Sequence, residues 1–386
     1  MTERLFDKDS FIKEFEATVK ECEKCDGGYK ILLDKTAFFP EAGGQKSDIG
    51  FLNEAKVLDV QEEGKYIYHF TDKEITVGKM VSGSINFERR FDFMQQHSAE
   101  HIVSGIANKI YGCENVGFHL SEDIVTLDFD KPLSREEIIR VETLSNEAVF
   151  NNKTFYTYYP DDETLEKLTY RSKKELEGAV RIVEIEDTDM CACCAPHVKT
   201  AGQIGLIKLL SSEKLRGGVR IELKAGMRAL KDYNERFNNT AKIGDMLAVK
   251  YNETADSVER LMNNMSEQKA VITKLKKQIT EQKVNSFKVE SEISAEFEEE
   301  LEIKELQIYS DALYKKAGGI RAVFSRNGEN TFAFAICGEP EKLDKFFADL
   351  KVQFTVRGGG RNGMVQGTVT AKKEELKGFF ENFENL

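Results

Sequence analysis

Two short runs of metal-binding side chains constrain this chain most, because they lie far apart in the sequence and look like halves of one site. The first is HSAEH, which starts at His97, and the second is CCAPH, which starts at Cys193. A step of four residues on a helix places His97 and His101 on one face, about 6 Å apart. Cys193 and His197 add one thiolate and one further imidazole. Together the two runs supply the four nitrogen and sulfur donors that zinc prefers in a tetrahedral site, so the fold must bring them together.

The cysteines also favour metal binding over disulfide bonding. Cys191, Cys193 and Cys194 crowd into four consecutive positions, which is poor geometry for disulfides and common at metal sites. Spacing alone leaves open which of the three binds the metal and what the others do. Cys22 and Cys25 form an isolated C-x-x-C motif with no second cysteine pair nearby, and we interpret it as structural or incidental.

HSAEH also matches the inverted zinc-protease signature H-x-x-E-H, whose glutamate polarises a zinc-bound water. Such proteases take another carboxylate ligand from a later helix, and they would leave the run from Cys193 to His197 unexplained. Glu100 is a candidate general base, although adjacent helical residues point about 100° apart and it could face away from the metal. His119 precedes a predicted strand and is a candidate substrate contact, the alternative being a core histidine with satisfied hydrogen bonds.

The charge pattern narrows the choice of partners. The chain has 386 residues and a net charge of −12, which argues against a general nucleic-acid coat. Between Lys199 and Lys231, however, eight basic residues face two acidic ones, a local balance of +6. Such a patch could contact phosphate selectively, or it could be a solvated helix face.

The sequence predicts a protein without membrane contact. The first residues, MTERLFDKDSF, contain no signal-peptide apolar core. No apolar run approaches the roughly 20 residues that span a bilayer. We therefore expect a cytoplasmic protein.

The hydrophobic pattern predicts an α+β chain in several parts. A β-rich start with short strands and glycine turns indicates a small barrel or curled sheet, and helix and strand patterns alternate after it. The predicted parts are a barrel-like domain at 1–88, an α/β zinc domain at 89–228, a helical segment at 229–288 and a small α/β domain at 300–386.

The helical segment has a seven-residue repeat. Val258, Met265, Ile272 and Ile279 recur at this period, and Leu261 and Leu275 fill the intervening stripe, which Gln268 and Gln282 interrupt. This pattern predicts a coiled coil or helical hairpin, which could pair two chains or fold back on itself. We expect an acidic linker at 290–305 to follow it.

Two glycine-rich segments are candidate binding loops. In LDKTAFFPEAGGQKSDIG, Gly43 and Gly44 permit a tight turn with exposed N–H groups, beside which an anion can lie. In VRGGGRNG, three glycines would let a nucleic-acid backbone approach the flanking guanidinium groups. The alternatives are an ordinary hairpin turn and a flexible glycine loop. The residues of the second segment are Arg357, Gly358, Gly359, Gly360 and Arg361.

Together these segments resemble the editing domain of alanyl-tRNA synthetases and its freestanding relatives, the AlaX proteins. The glycine segment is similar to the family's T-x-F-[FY]-P-E-x-G-G-Q-x-x-D-x-G, HSAEH falls on its H-x-x-x-H, and the run from Cys193 falls on its C-x-x-x-H-V. The segment RGGVRIE is also similar to the family's. The resemblance implies zinc at His97, His101, Cys193 and His197, and substrate or tRNA contacts at Thr36, Gly43, Gly44, Gln45, Arg216 and Arg220.

Beyond residue 230, the helical segment and the GGG-R-x-x-M-x-Q-G unit resemble the tRNA-binding domain that follows the editing domain in the synthetase. This part of the resemblance assigns tRNA contact to the stretch from Arg357 to Arg361. The family implies a zinc-containing deacylase that hydrolyses tRNA(Ala) mischarged with serine or glycine, protects translation fidelity and lacks aminoacylation. A homodimer through the helices is a further possibility.

The chain departs from the family pattern at two places. Glu100 stands where synthetase editing sites often have a threonine associated with the seryl hydroxyl, so the choice between serine and glycine stays open. Cys194 and Ala195 replace a glycine pair and add a thiol beside the metal. The rival hypothesis is a nucleic-acid-binding adaptor with a structural zinc and no catalysis.

Overall fold

The computed structural model describes residues 1–172 and 179–383, which form two compact units, Met1–Met246 and Leu247–Leu386. Both units mix helices and sheets, so the predicted α+β class is confirmed. The last three residues of the predicted domain at 300–386 lie outside the described residues. No helix in the described ranges is both long and apolar enough to cross a bilayer.

The first unit begins with strands that close on themselves. Their order around the barrel is β2-β3-β7-β6-β5-β8, and β1 pairs in parallel with β4. Alternate residues of β2, such as Phe15, Ala17 and Val19, point into the core because successive strand residues face opposite sides. The elements are β1 (Glu3–Arg4), α1 (Leu5–Lys8), β2 (Glu14–Cys25), β3 (Gly28–Leu33), β4 (Lys35–Thr36), β5 (Gly50–Leu52), β6 (Ala55–Glu63), β7 (Tyr66–Thr71) and β8 (Met80–Ile85).

His69 on β7 is wholly buried in this barrel. Its Nε2 lies 2.8 Å from the hydroxyl of Thr36, and Phe38 packs edge-on against its ring. Burial lowers the pKa of His69 to about 4, because the charged imidazolium would lose its hydration. Thr36, on β4, is therefore buried against this barrel strand, and its hydroxyl also accepts a hydrogen bond from the backbone N–H of Phe38.

Stability should therefore fall in acid through His69. The unfolded chain takes up a proton near pH 6.5 and the folded chain only near pH 4, so His69 leaves stability intact above pH 6.5 and removes up to about 3 kcal/mol as the pH falls to 4. His69→Gln, which keeps a polar partner for Thr36, should flatten that part of the curve. Urea unfolding between pH 4 and 7 measures the difference, and equal slopes would contradict this account.

The rest of the first unit wraps around one long helix. Sheets of order β14-β15-β10-β9 and β11-β12-β13 pack with this helix, α2. Asn86 caps its start by accepting from the N–H of Arg89, and Gly112 ends it with φ of 62°. The elements are α2 (Phe87–Tyr111), β9 (Asn115–Leu120), β10 (Val125–Phe129), α3 (Arg135–Phe150), β11 (Phe155–Tyr158), α4 (Asp162–Lys167), β12 (Ile182–Ile185), β13 (Asp189–Ala192), β14 (Ile207–Leu215), β15 (Gly218–Ala225) and α5 (Gly226–Leu247).

A buried ion pair joins the barrel to α2. The Nε of Arg90 lies 2.9 Å from both carboxylate oxygens of Asp48, and its Nη2 contacts the same carboxylate. The guanidinium also donates to the carbonyls of Ser10 and Ala37, while Asp48 accepts from the N–H of Phe39. Every strong donor and acceptor of this pair therefore has a partner, as burial requires.

The second unit contains a five-stranded sheet of order β16-β17-β18-β20-β19, with helices packed on it. In the heptad stretch a single helix, α6, leaves Val258, Met265, Ile272 and Ile279 between 39% and 61% exposed. Whether these side chains pair with another helix remains a prediction. The elements are α6 (Thr254–Ser286), β16 (Ile293–Glu299), α7 (Ile303–Ala317), β17 (Ile320–Gly328), β18 (Thr331–Cys337), α8 (Pro340–Gln353), β19 (Thr355–Arg361), β20 (Met364–Thr370) and α9 (Lys373–Phe383).

Two predictions for this unit were wrong. The acidic stretch at 290–305 is not a linker: it contains β16, which pairs in parallel with β17, and the start of α7. The predicted glycine loop is β19, an edge strand whose three glycines pair with β20. Pairing with a neighbouring strand outweighs the low strand propensity of glycine here.

Candidate metal centre

The structure brings the two predicted half-sites together. One donor atom from each of His97, His101, Cys193 and His197 lies within 4.8 Å of the other three, and we call this group the donor cluster. The Sγ of Cys193 is 3.6 Å from Nε2 of His97 and 3.4 Å from Nε2 of His197. Each of the three histidines is only 2% exposed.

Each histidine of the donor cluster has a polar partner at its Nδ1 atom. Nδ1 of His97 lies 3.0 Å from the amide oxygen of Gln45. Nδ1 of His197 lies 3.1 Å from the hydroxyl of Ser98, and Nδ1 of His101 lies 3.1 Å from the carboxylate of Asp189. Partners of this kind fix the ring orientation and tautomer of metal-binding histidines and leave Nε2 for the metal.

The geometry of the donor cluster fits zinc. Donors about 2.0–2.3 Å from a tetrahedral ion lie about 3.3–3.8 Å from one another, and the sulfur–nitrogen distances of 3.4 and 3.6 Å fall in that range. Three imidazoles and one thiolate are also the ligand types that zinc prefers. Among the three cysteines of the run, Cys193 groups with all three histidines, whereas Cys191 groups with His101 and Asp189.

The electrostatics favour the metal-binding protonation states of Cys193 and His197. Burial opposes ionisation of the Cys193 thiol, but His97 and His197 outweigh burial and hold its pKa well below the ordinary value. Burial lowers the pKa of His197 to about 3. A thiolate beside a neutral imidazole is the form in which both side chains bind a metal.

A carboxylate and an arginine support His101 from behind. Asp189 accepts two hydrogen bonds of 2.7 Å from Arg171, and both side chains are largely buried. Burial opposes a charge on His101, yet Glu100, Cys191 and Asp189 raise its pKa well above the ordinary value. A pocket that raises the affinity of a histidine for a proton also favours a metal cation in place of that proton.

Replacing Asp189 should weaken metal binding without removing a ligand. Asp189→Asn keeps the shape but removes the charge that faces His101, and changes of this kind typically cost about 10–100-fold in metal affinity. Competition with a chromogenic chelator measures the affinity. Asp187→Asn is the matched control, because its side chain lies two residues away and is 79% exposed. An unchanged affinity in Asp189→Asn would contradict the supporting role.

Glu100 lies beside the donor cluster and not on the solvent side of α2. It is fully buried, and one carboxylate oxygen accepts hydrogen bonds from Asn115 at 2.6 Å and Ser104 at 2.8 Å. The other oxygen is 3.8 Å from Nε2 of His101. The carboxylate therefore approaches the nitrogen that the metal would use.

The predicted glycine turn lies next to the donor cluster. Gly43 and Gly44 have φ of 61° and 82°, which side chains rarely adopt. A Cβ on Gly43 would lie 3.7 Å from Sγ of Cys194, and one on Gly44 only 3.0 Å from the ring of Phe118. Gln45 follows, and its amide nitrogen is buried without a hydrogen-bond partner in the described ranges.

Strand β9 presents Phe118 to the donor cluster and His119 to solvent. The ring of Phe118 lies 4.7 Å from that of His97, centroid to centroid. His119 is exposed, because adjacent strand residues face opposite sides. A substrate contact by His119 therefore requires a ligand that extends over the outer face of this strand.

Most of the basic stretch from Lys199 to Lys231 is occupied by ion pairs. Arg220, a predicted tRNA contact, donates two hydrogen bonds of 2.7 Å to Asp128. Arg216 lies exposed in the turn between β14 and β15. Four more basic residues pair with carboxylates: Lys199 with Asp9, Lys208 with Glu142, Lys224 with Asp232 and Arg228 with Asp92. The local surplus of +6 therefore overstates the charge that a phosphate could meet.

The predicted tRNA-contacting segment of the second unit lies on an exposed sheet edge. Arg357 and Arg361 are both exposed residues of β19, with Gly358, Gly359 and Gly360 between them. Their backbones pair with β20 on one side, and β19 is the last strand of the sheet. Because the three glycines carry no side chains, a polyanion could closely approach the backbone on the outer edge of this strand.

Two family models match separate parts of this chain, and neither covers His97 or His101. A family model described as "Threonyl and Alanyl tRNA synthetase second additional domain" matches residues 180–222. A second, "tRNA synthetases class II (A)", matches residues 4–89. The first match contains Cys193 and His197, and the second contains the Gly43–Gly44 turn.

Curated relatives carry two kinds of name. Alanine–tRNA ligases of Ignicoccus hospitalis and Pyrococcus furiosus are 33% and 35% identical over 60% and 66% of this chain. Alanyl-tRNA editing protein Aarsd1 of Bos taurus is 31% identical over 58% of it. The chain spans 27%, 29% and 54% of the length of these three relatives. The resemblance to alanyl-tRNA synthetases and to freestanding alanyl-tRNA editing proteins is confirmed.

One solved structure, the C-Ala domain of Aquifex aeolicus alanyl-tRNA synthetase, is 22% identical and covers 23% of this chain and 91% of its own. Its TM-score of 0.19 is too low to support a shared fold.

Proposed function

We propose, from the relationship to alanyl-tRNA editing proteins, that this chain hydrolyses the ester of tRNA(Ala) mischarged with serine or glycine and does not aminoacylate. The observation that carries the proposal is the buried donor cluster of three histidines and Cys193 beneath a glycine turn. Its donors come from two of the segments on which the resemblance was based.

Such an activity answers a physical problem of alanine selection. A pocket shaped for alanine cannot strongly reject glycine, which is smaller, or serine, which adds one hydroxyl. Differences of this size give only about 10–200-fold discrimination. A second, hydrolytic site can remove the wrong product, and the aminoacyl ester is already activated, so positioning and charge stabilisation can be sufficient.

Zinc, held by His97, His101, Cys193 and His197, would polarise or anchor the aminoacyl end of the substrate. The unpaired amide nitrogen of Gln45 would donate to the ester oxygen on which negative charge develops. Glu100 would accept a proton from the attacking water as the water oxygen bonds to the acyl carbon. The bond from the acyl carbon to the ribose oxygen then breaks, and Glu100 would return the proton to that ribose oxygen. Full activity with retained zinc in Glu100→Gln would exclude it as the base.

Contact with tRNA is proposed at two exposed surfaces. Arg216 would meet the acceptor end of the tRNA, and Arg357 and Arg361 would hold phosphates along β19. Replacing both of the latter by serine should raise KM with little change in kcat, because phosphate contacts contribute mainly to binding. The salt dependence of tRNA binding should also weaken, by a slope of about 1 for each arginine that is replaced.

A structural zinc in a non-catalytic tRNA-binding adaptor is the second candidate. The observation that favours it is the complete set of four protein donors, since catalytic zinc sites usually keep one position open. The adaptor would bind tRNA whatever its amino acid and would hydrolyse none of the esters.

A deacylation assay separates the two candidates. The full chain is incubated with Ser-tRNA(Ala), Gly-tRNA(Ala) and Ala-tRNA(Ala), with and without zinc chelation, and loss of the ester is followed. Zinc-dependent loss of the seryl or glycyl ester, with the alanyl ester spared, supports the editing function. Stable esters in a protein that holds zinc and binds tRNA would support the adaptor.

A further inference from the structure

Phe118 covers the donor cluster on its solvent side. The three histidines are 2% exposed, and their partners Gln45, Ser98 and Asp189 are also buried. Phe118, Cys193 and Cys194 are partly exposed, and Gly43 and Gly44 are exposed. These five residues reach solvent on one side of the cluster, and Asp189 borders a separate open cavity behind His101.

The glycine turn and β9 are in close contact on that side. The N–H of Leu120 donates to the carbonyl of Gly44 at 3.3 Å. A Cβ on Gly44 would lie 3.0 Å from Cδ1 and 3.1 Å from the carbonyl oxygen of Phe118. At this point the turn has no room for even a methyl group, so the ring of Phe118 is confined between the turn and His97.

We infer that Phe118 and the Gly43–Gly44 turn form a size filter, which admits acyl groups with small side chains to the metal centre and excludes branched ones. The inference rests on the proposed ester hydrolysis and adds the residues that select the acyl group. A substrate carbonyl must lie against the donor cluster, and its side chain must then share the space beside the ring of Phe118.

The expected size of the effect follows from packing. Each additional methylene that a rigid site must accommodate changes discrimination by about 10–200-fold. Truncating a packed phenylalanine leaves a space that its neighbours only partly fill. Phe118→Ala should therefore accept an acyl group two or three carbons larger than the original protein does.

The test compares acyl groups in one tRNA. The full-length protein, Phe118→Ala and Phe118→Leu are assayed with tRNA(Ala) charged with glycine, serine or valine. We expect Phe118→Ala to raise the kcat/KM for the valyl ester relative to the glycyl ester by about 10-fold or more, and Phe118→Leu to raise it less. Val116→Ala is the matched control, on the same strand but 66% exposed, and should leave the ratio unchanged.

A second readout does not depend on hydrolysis. In zinc-loaded protein, Phe118→Ala should speed metal removal by the chelator 4-(2-pyridylazo)resorcinol at least about 10-fold, because the bulky chelator enters by the same opening as the acyl group. Faster removal with no cleavage of any ester by the original protein would mean that Phe118 restricts entry to the metal centre but that the proposed function fails. An unchanged acyl profile in an active, zinc-loaded Phe118→Ala, or unchanged removal in an inactive one, would overturn the filter.

Discussion

Replacing Cys193 with alanine is expected to release the metal and abolish ester hydrolysis. The thiolate is the single sulfur donor of the donor cluster, 3.4 and 3.6 Å from two histidine nitrogens. Partners outside the coordination sphere alone are worth about 10–100-fold in metal affinity, so loss of a ligand should cost more than about 100-fold. The three buried imidazoles would then lack the anion that balances a cation between them.

Metal content after dialysis against a weak chelator, together with the deacylation rate, measures this effect. Cys194→Ala is the matched control for metal content: it removes the adjacent thiol, whose pKa burial raises to about 11, and should retain the ion. If both variants keep stoichiometric zinc, Cys193 is not a ligand. If Cys193→Ala loses zinc but still cleaves the seryl ester, the metal is structural and the catalytic role proposed for it is wrong.

Replacing Asp48 with alanine is expected to destabilise the first unit severely. It would leave the guanidinium of Arg90 buried without its counter-charge, since the two side chains are 0% and 2% exposed. Removing one partner of a buried ion pair typically costs about 3–5 kcal/mol. The N–H of Phe39 would also lose its acceptor, which adds to the cost.

Hydrogen exchange in peptides from the barrel strands measures the local free energy of opening without assuming that both units unfold together. Asp48→Asn, which keeps an acceptor, should lose less, and Asp48→Ala combined with Arg90→Met should recover part of the loss. Glu122→Ala is the matched control: it removes the partner of the neighbouring Arg89 at a position that is 58% exposed. A loss in Asp48→Ala no larger than in Glu122→Ala would exclude the pair as a main support of the fold.

The donor cluster could be predicted from the sequence because its halves are local. The step from His97 to His101 and the step from Cys193 to His197 each place two donors side by side, whatever surrounds them. The residues that orient these donors are less local. Asp189 is 88 residues after His101, and Arg171 lies 18 residues before Asp189. The local signal for Asp189 is the alternation of side chains in β13, which places Asp189 on the same side of the strand as Cys191.

The charge pattern of the sequence was the poorest guide to the folded structure. Counting lysines and arginines between Lys199 and Lys231 predicted a basic surface, but Arg220 and Arg228 pair with Asp128 and Asp92 from distant segments. A count along the chain cannot see such partners. Likewise, three glycines suggested a loop, whereas their pairing with β20 makes them a strand, and that pairing is set by the whole sheet.

The buried contact between Arg90 and Asp48 also determines which part of this chain could be transferred to another protein. The predicted domain boundary at residue 88 suggests that the segment after it, which contains all four metal-binding residues, could be grafted onto another scaffold. Such a graft would leave behind Asp48, Gln45 and the glycine turn, and with them the counter-ion of α2 and the partner of His97. The smallest piece that can be grafted with its chemistry intact therefore begins with the barrel and ends after the last strand packed on α2.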